Sequence, residues 1–169
     1  MPYPAAVRSY VVGALSNAPL LMKHLLGEFS SSDPIWDLRP HRDRFSLREM
    51  IAHVADWNDI YIERLECSRD EDRPLLPDKD EGKIAEERDY GHSDPVRNLE
   101  RFASTRHKLI RVVESLPFEA WDRIATREGV GELSIGDQIA LISAHDAYHV
   151  RQALDYLESA RKGVEAATI

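Results

Sequence analysis

The stretch S-I-G-D-Q-I-A-L-I-S-A-H-D-A-Y-H-V-R-Q-A-L-D-Y-L, from Ser134 to Leu157, reads as one long amphipathic helix. Ser134 with Asp137 three residues on marks its start, and the pattern continues to about Ala160. On a helical wheel Ile135, Leu141, Ile142, Ala153 and Leu157 form the apolar arc. Gln138, His145, His149 and Gln152 lie near the middle of that arc. A face built only for packing would carry Leu or Ile there, because each buried polar group needs a partner. His145 and His149, four residues apart, project from one side of the helix about one turn from each other. Two imidazoles so placed can clamp one metal ion.

The same periodicity recurs three times upstream. Val7, Val11, Ala14, Ala18, Leu21 and Leu25 mark a first helix, which Pro19 should kink. A second opens at the capping box Ser46/Glu49 and continues through Leu47, Met50, Val54, Trp57, Tyr61 and Leu65. A third starts at Asp94 and Pro95, carries Val96, Leu99, Phe102, Ala103, Leu109, Ile110 and Val113, and ends before Pro117. Ser68 to Ser93 is an acidic, Pro-bearing connection, to be read either as a cover for a site or as an unstructured spacer. A short helical turn fits around Lys83 to Arg88. No segment alternates as a strand should. The expected fold is all-α, a four-helix bundle with a long connection between helices two and three, in one domain over residues 1–169.

Composition narrows the function classes. A net charge of −8 disfavours nucleic-acid phosphates as partners, and no run reaches the roughly 18 apolar residues of a membrane span. Mean hydropathy of −0.45 agrees. One cysteine, Cys67, excludes an internal disulfide and a Cys-rich zinc site. A cytoplasmic location is the default expectation.

His53 repeats the anomaly of helix four, standing between Met50 and Trp57 on the apolar face of helix two. Any one of these histidines alone reads best as a hydrogen-bonded core residue; three together, two at ligand spacing, read as a metal triad. His24, His41, His92 and His107 fall at helix edges or in polar loops. Asp146 suits either a hydrogen-bond partner for an imidazole or a surface acid, and Asp56 and Glu49 read as solvated. No Glu-x-x-His pair occurs, which excludes the usual di-iron carboxylate bundle.

Two stretches, F-S-L-R-E-M-I-A-H-V-A-D-W at Phe45 to Trp57 and G-E-L-S-I-G-D-Q-I-A-L-I-S-A-H-D-A-Y-H-V-R-Q at Gly131 to Gln152, resemble the DinB-like (DinB/YfiT) superfamily. That resemblance implies a metal-binding four-helix bundle, with His53, His145 and His149 as ligands of a divalent ion such as zinc or nickel. It also implies a homodimer and a small-molecule substrate. A metal on neutral imidazoles makes bound water or thiol a better nucleophile. Two functions follow as expectations. One is a metal-dependent enzyme that activates a low-molecular-weight thiol cosubstrate (S-transferase or isomerase) or water (hydrolase). The other is a non-catalytic, metal-stabilised dimeric stress-associated module.

Overall fold

The computed structural model describes residues 3–41 and 43–167. Six helices follow in chain order: α1 (Ala5–Leu15), α2 (Asn17–Leu26), α3 (Leu47–Asp70), α4 (Glu81–Glu87), α5 (Pro95–Ser115) and α6 (Ile135–Ala167). The pair α1/α2 acts as one broken helix and packs with α3, α5 and α6 into a four-helix bundle, so the fold is all-α as expected. Among the described residues no helix is long and apolar enough to cross a membrane.

The helix starts form as their sequences require. Ser46 Oγ accepts from Glu49 N (3.3 Å) while Glu49 Oε2 accepts from Ser46 N (2.6 Å), leaving α3 with a complete capping box. Asp94 caps α5 by accepting from Val96 N and Arg97 N, with Pro95 at the first position. Ser134 and Asp137 make the reciprocal pair that opens α6. Replacing Ser46 with Ala should cost about 1 kcal/mol of unfolding free energy, measured by urea denaturation.

Three expectations need correction. The first helix does not kink at Pro19 but breaks at Ser16. Proline offers no N–H to the carbonyl four residues back, that of Leu15, and its ring crowds the same group. The break shifts the helical phase, so Leu15, Ala18, Met22 and Leu26 are buried while Val7 and Leu21 of the expected face are exposed. Leu141 is likewise exposed on α6, which runs to Ala167.

Second, strands do exist. β1 (Leu75–Leu76), β2 (Ile124–Arg127) and β3 (Gly131–Ser134) form a small sheet, β1 parallel and β3 antiparallel to β2. Strands of two to four residues are too short to display alternation. The β2–β3 hairpin turns at Gly129, whose φ of 74° lies in the left-handed region that glycine enters without a steric penalty.

Third, of the two readings left open for the acidic connection, the unstructured spacer does not hold, because the segment is structured. It holds β1, α4 and a 3₁₀ turn at Tyr90–His92. Its anchor is Asp56 of α3, which is buried, accepts from Tyr90 Oη (2.6 Å) and pairs with Arg88 (2.8 Å) and Arg101. Asp56 is therefore a fastening point for this segment and not the solvated acid its sequence context suggests.

The apolar core has two layers. One contains Leu15, Trp57, Leu65, Leu109 and Ile142, and the other contains Ala18, Met50, Val54, Phe102 and Ala153. Each bundle helix passes from one layer to the other, and the crossing is polar: the Ser16 break, His53 and Asn58, Thr105 and Arg106, and His145 to His149.

Candidate metal centre

That polar layer divides into an ion pair and a histidine cluster. Arg106, 1 % exposed, spreads its guanidinium between helices. Both terminal nitrogens donate to Asp146, Nη2 at 2.9 Å, while Nε donates to Asn58 Oδ1 at 3.0 Å. Nη1 also reaches the Leu15 carbonyl at 3.2 Å, the group that Pro19 leaves without an intrahelical donor. Asn58 in turn donates to Phe102 O and Thr105 Oγ1. Asp146 is thus neither an imidazole partner nor a surface acid. It locks α6 to α5 in the residue next to His145.

The structure brings His53, His145 and His149 together. His145 Nε2 lies 3.2 Å from His53 Nε2 and 3.1 Å from His149 Nε2. One nitrogen from each ring lies within 4.8 Å of the other two, a grouping that could hold a metal ion. The four remaining histidines, His24, His41, His92 and His107, are exposed.

Hydrogen bonding fixes the state of one ring. Tyr156 Oη donates to the Phe45 carbonyl (2.6 Å) and accepts from Gln152 Nε2 (2.9 Å). Gln152 must then present Oε1 to His149 Nδ1 at 2.9 Å, which makes Nδ1 the protonated nitrogen. The lone pair of His149 Nε2 accordingly faces the cluster. This is how a ligand imidazole is usually oriented from behind. The Nδ1 atoms of His53 and His145 are buried without a hydrogen-bond partner among the described residues. Outer-side hydrogen bonds therefore do not explain where these two rings point. Convergence of three nitrogens on one centre does, and the donor set fits a divalent ion.

Electrostatics agrees. Burial pushes the His53 ring down to about 3, helped by the nearby His149. Burial and the two other imidazoles push His145 down to about 2, and burial lowers His149 to about 4. Near neutral pH all three are uncharged, as metal ligands must be. Aromatic rings enclose them: Trp57 lies 4.1 Å from His53 between centroids, Phe45 lies 5.3 Å from it, Tyr61 is edge-on to His145 and Tyr148 to His149.

The cluster is not sealed. A cleft of about 640 Å³, walled by Arg44, Phe45 and Tyr148, reaches His145 and His149. A second, of about 650 Å³, reaches His145 past Trp57 and Tyr61. Glu81, the first residue of α4, stands between the two with Oε2 4.0 Å from His53 Nε2. The acidic connection therefore does border the mouth of the site. Nothing in the local sequence around Glu81 signals this, because its position depends on the Asp56 anchor.

Comparison with known proteins places this arrangement. A family model for the DinB superfamily matches residues 15–153, a span that includes all three histidines. No curated protein matches the chain. Among solved structures, YfiT from Bacillus subtilis superposes with a TM-score of 0.84 over 95% of this chain and 90% of its own, at 17% sequence identity. That protein is described as a "probable metal-dependent hydrolase with an unusual four-helix bundle topology". At this identity the likeness speaks for the fold, and the family follows from the sequence match: the chain belongs to the DinB superfamily.

Proposed function

We propose that His53, His145 and His149 hold one divalent metal ion, zinc or nickel, and that the protein is a metal-dependent enzyme acting on a small molecule. The supporting observation is the access: two clefts reach a buried, neutral, three-imidazole cluster that no fourth protein ligand closes among the described residues. A structural metal site is normally closed by four protein ligands, whereas a catalytic one keeps a position open. The description of YfiT as a metal-dependent hydrolase points the same way.

When bound, the metal would supply Lewis acidity to water or to a low-molecular-weight thiol, favouring its deprotonated, nucleophilic form. The chain's own residues do the rest. Gln152, held by Tyr156 and the Phe45 carbonyl, keeps His149 in the Nδ1–H tautomer. Phe45 and Trp57 shield His53 from solvent. Glu81, which reaches the cluster from an exposed helix end, is placed to take a proton at Oε2 from an incoming nucleophile.

Metal analysis of the purified protein followed by turnover assays tests this reading. The assays should pair a panel of thiols with an electrophile such as monochlorobimane, and offer esters and amides to water. Metal-dependent turnover in one arm is expected and identifies the nucleophile. Stoichiometric metal with no turnover in any arm would overturn the enzyme reading. Gln152→Leu should weaken metal affinity about 10- to 100-fold while leaving the helical content intact, as loss of an outer hydrogen bond to a ligand histidine does. A competition titration with a chromophoric chelator reads this, and an unchanged affinity would count against the Gln152 role.

A further inference from the structure

The cleft on the Trp57 side carries one arginine that the bundle leaves without a partner among the described residues. Arg127, at the end of β2, lines this cleft beside His145. Its guanidinium makes no hydrogen bond or ion pair among the described residues, although its Nε is buried. Arg64 of α3 lies outside the cleft lining; it is 6 % exposed and donates from Nη2 to the Pro77 carbonyl at 3.2 Å. Its Nε and Nη1 are buried and unpartnered. Buried Arg106 and half-buried Arg8, Arg48, Arg69 and Arg101 each donate to an acid or a carbonyl. A half-buried cation with unused donors is costly unless an anion completes it.

We propose that this cleft is the substrate pocket and that it binds a small monocarboxylate, with the carboxylate on Arg127. Its apolar body would lie along Trp57 and Tyr61 and lead to the histidine cluster. The volume of about 650 Å³ suits such a molecule. Carboxylate is favoured over a phosphate dianion because Asp78, Asp80 and Glu81 line the same cleft and would repel a second negative charge. None of these acids is within ion-pair distance of Arg127: Asp80 Oδ1 caps α4 at Lys83 N, and Glu81 faces His53. This inference rests on the metal-centre reading for what the pocket serves, but carboxylate binding itself does not require the metal.

The test is a calorimetric or NMR titration with phenylacetate, phenylacetamide and phenyl phosphate, run with and without added zinc. Wild-type protein, Arg127→Met and Arg127→Lys are compared. Wild type should bind phenylacetate in preference to the other two. Arg127→Met should weaken that binding about 10- to 100-fold, with Arg127→Lys between, since it keeps the charge and loses the fork. The melting temperature of Arg127→Met should equal or exceed that of wild type, because no partner is lost; a marked fall would assign Arg127 a structural role instead. Equal binding of phenylacetate by wild type and Arg127→Met, no binding by either, or preference for the amide or the phosphate would overturn the proposal. Zinc binding without Arg127-dependent phenylacetate binding removes this inference and spares the metal centre. The reverse result removes the metal centre and spares this inference.

Discussion

Asp146→Ala is expected to destabilise the protein by about 3–5 kcal/mol, the loss that follows when one partner of a buried ion pair is removed. The magnitude comes from what remains. Arg106 is 1 % exposed and gives two of its donors to Asp146, so the variant strands a desolvated guanidinium between α5 and α6. Asn58 Oδ1 and the Leu15 carbonyl cannot neutralise it. Removing both charges at once, with Arg106→Met and Asp146→Leu, should restore most of the lost stability, because the penalty lies in the unpaired charge more than in the missing attraction. Urea denaturation of the singles and the double measures this. A loss below about 1 kcal/mol for Asp146→Ala would show that Arg106 is hydrated and that the polar layer is not the lock described above. The Asp146 variant should also bind metal more weakly, since Asp146 fixes the helix position next to His145.

His149→Ala is expected to abolish stoichiometric metal binding while the bundle stays folded. The substitution removes a nitrogen that lies 3.1 Å from His145 Nε2 and whose tautomer is set by Gln152. Thermal stability gives a second readout. Free metal at a hundredfold above its dissociation constant stabilises a protein by about 2.7 kcal/mol if it binds only the folded state. Wild type should show that gain on adding zinc, and His149→Ala should show none. An equal gain in both would place the bound metal elsewhere.

How much of this was legible beforehand depended on whether the deciding interaction was local. The caps at Ser46, Asp94 and Ser134 are set by residues three apart, and they form as read. The histidines were legible because helical spacing put polar groups on an apolar arc, where packing alone would not place them. The Arg106–Asp146 pair was not, because its partners come from different helices, and Asp146 in isolation has no preferred reading. Asp56 failed for the same reason: its three partners come from α5 and from the connection before it. The first helix was misphased because the position of Pro19 marks a lost hydrogen bond at Leu15, so the break falls earlier than the proline. Glu81 and Arg127 reach the site only after the connection and the small sheet have been placed, and neither carries a local motif.

X-ray absorption spectroscopy at the zinc or nickel edge, on protein loaded to one equivalent and freed of excess metal, tests the central claim most directly. The expected result is an ion bound by three imidazole nitrogens, with the imidazole signature reduced or lost in His149→Ala. Failure to retain one equivalent, or an ion held by ligands other than imidazole, would contradict it.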